Sequence, residues 1–391
     1  MTTGSLEIRN LGGLVTGRLA HPLQQVSEIR CEDGKIVALE SGGDADLVID
    51  SCGAIAAPGL IDSHAHVVFG DWTPRQSTLG WIESYMHGGV TMMMSASEVH
   101  LPGRPADREG VKALAITAQR AFAEFRPGGV KVLAGSVIIE PSLEPSDFDQ
   151  MAAAGVKLAK VGFGDFDKPA DAAPLVRAAQ AAGMIVMNHT GGASIPGSSP
   201  VTAEDCITLG CDFIGHANGG PTSLPDEDLP LLFDAAGAIQ LVQAGNLRSS
   251  LLLLDLARER GELERIVIAT DTPTGTGVMP LGMIKTVTEL SSLGGISASD
   301  SIAMATGNNA RVLRREEGIL EVGRPADFAL LESPLGGAAD DALAAIERGD
   351  LPGISAVVID GALRALRSRN APASTDPAAV ISGNLPPAFG N

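Results

Sequence analysis

Eight times between residues 59 and 273, a short apolar run gives way to polar or glycine-rich residues and then to a helical stretch. No other feature of the chain narrows its possible folds as much. The runs are GLIDSHAHVV, GVTMMMSAS, KVLAGSVII, VKLAKVGF, MIVMNHT, DFIGHANGG, AIQLVQAGN and RIVIATDTP. Strands alternating with helices are the pattern of βα units around a parallel sheet, and eight of them close a barrel. Ahead of them, residues 5–57 read as short alternating strands with an Asp-Gly hairpin turn at Asp33-Gly34. Strand patterning returns in GILEVGRPADFALLES near residue 318 and in ISAVVIDGALRALRS near residue 354. With the barrel already complete, these late strands are expected to rejoin the N-terminal unit. The expected architecture is α/β: a TIM-like (β/α)8 barrel over 58–317 and a small discontinuous β-sandwich from 1–57 plus 318–368. Residues 369–391, rich in Pro, Ala and Ser, are expected to be an extended or disordered tail.

Charge and composition remove several function classes. Lys and Arg number 28 against 47 Asp and Glu, a net charge of −19, so the chain lacks the cations that would displace counterions from a nucleic acid or hold an anionic membrane surface. No window approaches the run of about 18 apolar residues that a membrane span needs. Aromatic residues make up 3% of the chain, too few for a base-stacking platform. Cys31, Cys52, Cys206 and Cys211 form no CxxC pair and read as reduced thiols. A cytoplasmic enzyme acting on a small molecule is the expectation.

The chemistry is concentrated at the strand ends. His64 and His66 lie two residues apart on the first run, so a strand would present both imidazoles to one metal. Alone, this HxH fits a buried structural pair as well. Lys160 in the fourth run, His189 closing the fifth, His216 in the sixth and Asp271 ending the eighth change that reading, because all fall toward the C-terminal ends of their strands. Barrel enzymes place their active sites on that face, and packing alone does not explain four histidines, an aspartate and a lysine meeting there.

The order HxH, Lys, His, His, Asp resembles the metal-dependent amidohydrolase superfamily. PGLIDSHAH looks like the start of its barrel, and Gly323 to Phe328 (GRPADF) look like its returning sandwich strand. Longer segments, NHTGGASIPGSSPVTAED, HANGGPTSLP, VQAGN and DTPTGTGVMPLGMI, look like strand-end loops of the branch that opens cyclic enamides. The resemblance implies two divalent ions, with zinc, iron or one of each suiting the donors. His64, His66 and Asp271 would hold the buried ion, and His189 with His216 the more exposed one. Lys160 would bridge them as an N-carboxylated lysine, or else stand as an ion-pairing lysine beside a single metal. Asp271 would also carry the proton from attacking water to leaving nitrogen. The implied reaction is hydrolysis of a cyclic amide C–N bond, on a carboxylated cyclic enamide of the 6-oxo-tetrahydronicotinate kind, by a homo-oligomer, a tetramer by resemblance.

Rival readings on the same barrel are a hydantoinase or dihydroorotase-like hydrolase, a mononuclear deaminase and a non-catalytic scaffold. Deaminases of this kind carry a glutamate three residues past the fifth-strand histidine, where this chain has Gly192. A scaffold would have lost ligands, and this chain keeps all six positions. Candidate substrate contacts are Asn218, Gly219, Gln243, Asn246, Thr274, Gly275 and Thr276, whose glycine-rich turns form either an anion nest or merely tight turns. Arg75 or Arg104 would pair with a carboxylate. Segment 191–200 reads as a covering loop or a static rim. His100 is a further candidate contact, whereas His87 falls at the wrong barrel end and His21 on the sandwich surface.

Overall fold

A computed structural model describes residues 4–40, 43–67, 80–101, 103–193, 198–220, 222–274 and 277–385. Eight parallel strands form its centre: β1 (Leu60–Ala65), β2 (Val90–Ser95), β3 in two segments (Lys131–Leu133 and Ser136–Ile138), β4 (Leu158–Val161), β5 (Ile185–Asn188), β6 (Phe213–Ile214), β7 (Ala238–Val242) and β8 (Ile266–Ala269). The first segment of β3 pairs with β2 and the second with β4. Gly135 turns the strand between them at φ +85°, and a Cβ there would lie 2.4 Å from the Ala115 carbonyl of the flanking helix. Any other residue at this corner would push that helix away.

The ring closes between β8 and β1 in two ways. At the top, Asp271 N–H donates to the His64 carbonyl and His66 N–H to the Thr272 carbonyl, each at 2.8 Å. Lower down, side chains replace the ladder. Asn309 Nδ2 donates to the carbonyls of Ile61 (2.9 Å) and Ile268 (2.8 Å), and the Asp62 carboxylate accepts from Thr270 N (3.0 Å) and Thr270 Oγ1 (2.5 Å). Buried backbone groups that lack a strand partner are thereby satisfied.

Inside the barrel, Ile61, Met92, Met94, Leu158, Ile185, Met187, Phe213 and Val267 pack together. Met93, of opposite parity, joins the cluster between strands and helices, as period-two alternation requires. The helices are amphipathic and capped. Arg108–Glu124, for example, buries Val111, Ala115 and Ala118, and Asp107 accepts from Gly110 N at its start.

Two further sheets draw strands from both ends of the chain. One runs in the order Ala379–Gly383, Leu47–Asp50, Leu6–Arg9, Ile29–Glu32, Lys35–Leu39; the other Ala362–Leu366, Gly353–Ile359, Phe328–Glu332, Ile55–Pro58, Gly13–Val15, Leu23–Gln24. Ile8, Ile29 and Ile49 of the first meet Leu14, Phe328 and Val358 of the second in one apolar layer. The hairpin turn has positive φ at both Asp33 (+47°) and Gly34 (+80°), as the Asp-Gly pair predicts.

Two expectations change. The segment near 318 forms no strand until Phe328 beyond a single bridge between Pro325 and Lys35, because Gly323 sits at φ +89° and Pro325 has no N–H to extend a ladder. The tail takes its extended alternative but does not lie outside the sandwich: Ala379–Gly383 pairs antiparallel with Leu47–Asp50 and completes the edge of the first sheet.

Candidate metal centre

The register between β1 and β2 breaks between Asp62 and Ala65. Ile61 packs inside the barrel, and across this break His64 and His66 also face its mouth. Lys160 lies in β4, opposite Met187 of β5, while His189 follows β5, His216 follows β6 and Asp271 stands two residues beyond β8. His216 (φ +36°), Asp271 (φ +60°) and Ser97 (φ +86°) are non-glycine residues in the left-handed region. Such strain is held only where the surroundings enforce it, commonly at functional sites.

All six expected ligand residues line one cavity of about 400 Å³. His64 Nε2 and His66 Nε2 stand 3.3 and 3.1 Å from Asp271 Oδ1, and one donor atom of each of the three residues lies within 4.8 Å of the others. Their outer nitrogens are engaged elsewhere. His64 Nδ1–H donates to Gln240 Oε1 at 2.6 Å and His66 Nδ1–H to the Ser97 carbonyl at 2.9 Å. His189 Nε2–H donates to the Gly192 carbonyl at 2.7 Å, which leaves Nδ1 facing His216 Nε2 at 2.9 Å.

These acceptors set the tautomers of three rings: His189 Nδ1 is left to accept from His216 Nε2, and the Nε2 lone pairs of His64 and His66 point at the Asp271 carboxylate. The latter set is repulsive by itself and attractive around a cation, and imidazole with carboxylate is a donor combination for a divalent transition metal. Burial pushes His64 and His216 well below the usual imidazole range and His189 down to about 4, so the rings are neutral donors. Burial alone would raise Asp271, yet it stays down at about 2, because a proton in this cluster resides on His64, His66 or Lys160 in preference to the carboxylate. Lys160 is fully buried, with Nζ 3.1 Å from Met187 Sδ and 3.5 Å from His64 Nε2. Burial brings its amine down to about 7 against the pull of Asp271.

Residues 240–364, which run from the middle of β7 through β8 and Asp271, match the amidohydrolase family. The enamidase of Eubacterium barkeri is 42% identical over 382 residues, covering 96% of this chain and 99% of that one. The chain belongs to the amidohydrolase family. A crystal structure of enamidase superposes with a TM-score of 0.92 at 41% identity, over 96% of this chain and 100% of that one. A D-hydantoinase structure shares the fold, with a TM-score of 0.66 at 14% identity over 94% and 96% of the two chains. The imidazolonepropionase of Salinispora tropica is 26% identical over 84% of this chain and 93% of its own.

In this amidohydrolase the expected substrate contacts divide. Gly219 and Thr274 line the cavity. Asn218 instead substitutes for ladder bonds beside β7: its Nδ2 donates to the Val242 carbonyl (2.8 Å) and Ser250 Oγ (2.9 Å), and its Oδ1 accepts from Val242 N (2.9 Å). Asn246 caps the helix Leu247–Arg260 by accepting from Arg248 N and Ser249 N. Gln243 donates its backbone N–H to the Ala269 carbonyl and borders Gly282, and it is not among the described lining residues. Gly275, Thr276, Arg75 and residues 194–197 of the expected covering loop lie outside the described residues. Arg104 turns one guanidinium nitrogen to the Phe163 carbonyl at 2.9 Å and is not among the described lining residues.

His100 lines the cavity, its ring 4.7 Å from that of His66, and its Nε2 lies 2.9 Å from Thr274 Oγ1. His87 is half-buried and its carbonyl accepts from Ser368 Oγ, below the start of β2. Two residues escaped the sequence reading. Gln240 and Asp62 are fully buried polar side chains within apolar strands, and their only signal was polarity at an interior position of a buried run.

Proposed function

We propose that this amidohydrolase opens a carboxylated cyclic enamide of the 6-oxo-tetrahydronicotinate kind by hydrolysing its ring C–N bond, as an enamidase does. The observation that carries the proposal is the convergence of all six ligand candidates on one cavity in a chain 42% identical to an enamidase along nearly its whole length. His64, His66 and Asp271 would hold one divalent ion and His189 with His216 a second, zinc, iron or one of each. Lys160 would bridge them as a carbamate. Its support is a fully buried amine with no carboxylate in ion-pair distance among the described residues, a position where N-carboxylation would replace a stranded cation by two anionic oxygens.

Ions held there supply Lewis acidity and lower the pKa of water toward neutrality. Asp271, part-exposed at the cavity and ionised, takes a proton from the attacking water and delivers it to the departing nitrogen. The released enamine tautomerises to an imine, and a second water converts it to an aldehyde and ammonia. The neutral walls, Phe163 and Val99, keep the ring out of bulk water. Thr274, Gly219 and the neighbouring Gly275 and Thr276 are the proposed seat of the ring substituents. Four free cysteines support a reducing, cytoplasmic setting, and the tetramer implied by the resemblance extends the reading to solution, where light scattering measures it.

Incubation of metal-replete protein with a substrate panel tests the proposal. Ring opening with ammonia release from the carboxylated six-membered enamide, ahead of hydantoins, dihydroorotate and aminopurines, is expected. Turnover of a hydantoin or deamination of a purine, with the enamide untouched, would reject it.

A further inference from the structure

Gln240 sits in the middle of β7 with no exposed surface, and its side chain reaches past β8 to β1 while also bonding the residue that follows β6, its neighbour in the ring. Nε2 donates to Ser63 Oγ at 2.8 Å and to the Ser63 carbonyl at 3.2 Å. A carbonyl only accepts, so the nitrogen must lie on that side and Oε1 on the other. There Oε1 accepts twice: from His64 Nδ1–H at 2.6 Å and from the backbone N–H of His216 at 3.3 Å. The two histidines belong to opposite halves of the proposed centre, and His216 is held at φ +36°.

We propose that Gln240 is a positioning residue that sets the ligands of both ions at once. Its oxygen holds the His64 proton on Nδ1, which keeps the Nε2 lone pair toward Asp271. The same oxygen anchors the strained backbone from which the His216 ring projects, and Ser63 prevents the amide from turning over. Shape alone would be met by a methionine. The arrangement requires an acceptor at this one point, since His64 Nδ1–H and His216 N–H would otherwise be buried donors without a partner.

This inference rests on the metal-centre reading above, and the test separates the two. Metal-free wild type, Gln240→Met, Gln240→Asn and Gln240→Glu are titrated with zinc in competition with a chromophoric chelator, and metal-free thermal unfolding is recorded for each. Gln240→Met removes the acceptor and Gln240→Asn draws it back by one methylene. Each is expected to weaken zinc binding roughly 10- to 100-fold, the usual scale for loss of a residue behind a metal-bound histidine, and at both sites together.

Gln240→Glu keeps an acceptor toward both donors and can accept from Ser63 Oγ–H while losing the bond to the Ser63 carbonyl, and is expected to stay within a few-fold of wild type. A purely structural role predicts the reverse order, because a buried carboxylate facing the Ser63 carbonyl disturbs the core more than methionine does. If Gln240→Met does not fold, the contrast between Asn and Glu decides. Wild-type affinity in Gln240→Met or Gln240→Asn, equal losses in Glu and Asn, or loss of one ion with the other unaffected would overturn the proposal. Wild-type protein that binds no zinc would overturn the metal-centre reading and this inference with it.

Discussion

Asp271 has two proposed tasks that substitution can separate. As a ligand it brings the negative charge among the histidines, and as the proposed shuttle it must gain and lose a proton in each turnover. Asparagine keeps the shape and a ligating oxygen without useful basicity, so Asp271→Asn should retain much of its metal and lose about 10²- to 10⁴-fold in kcat, read by elemental analysis and turnover on one preparation. Glu98, three residues past β2, makes a pH prediction of a different kind. It is fully enclosed, its described partner is Ser95 Oγ at 3.5 Å, and burial pushes its carboxyl up to about 8. The folded protein therefore keeps a proton that the unfolded chain releases in the usual carboxylate range, and stability falls as pH rises from that range to about 8. Glu98→Gln cannot ionise, so its melting temperature should exceed the wild type's by a margin that widens from pH 5 to pH 8.5 in scanning calorimetry. At this scale the convergence of the six candidate ligands on one cavity was legible because polar side chains recur at one end of apolar strands. The structural tasks of Asn218 and Asn246 were not legible for the converse reason: an amide next to a strand end reads as a substrate contact, while its side chain here completes a ladder or caps a helix.

Among the elements, the seam between β1 and β8 is the least regular part of the barrel, and it carries both His64 and Asp271. Asn309, on the helix Gly307–Val312, holds its lower half by bonding Ile61 and Ile268. Asn309→Leu keeps the volume and leaves two buried carbonyls unpaired. A loss of about 1–3 kcal/mol is expected, seen as a lower denaturant midpoint at unchanged slope, with metal content per folded chain preserved. The eight strands could be read from their apolar runs even where β6 spans only Phe213–Ile214, because the flanking helices mark each unit. Asn309 could not, since its partners lie 248 and 41 residues away and no local pattern encodes such a contact. The strand at Ala379–Gly383 was hidden for the same reason: its partner is Leu47–Asp50, at the far end of the chain.

At the scale of the whole molecule, the sandwich and barrel share one apolar interior. Ile55, Ala57 and Ala329 from the second sheet pack in the same cluster as Val90 and Val130 around the barrel. Ile55–Pro58 passes through Gly59 directly into β1, so the strand bearing His64 and His66 is anchored from below while its upper end stays with the chemistry. The described residues contain no helix long and apolar enough to cross a membrane. All of this converges on one claim, that six side chains from five strands form a single two-ion site. Metal analysis of protein purified without chelators tests it most directly. Close to two divalent transition-metal ions per chain are expected at saturation, with turnover rising as the second ion binds. Saturation near one ion per chain with full activity would contradict it.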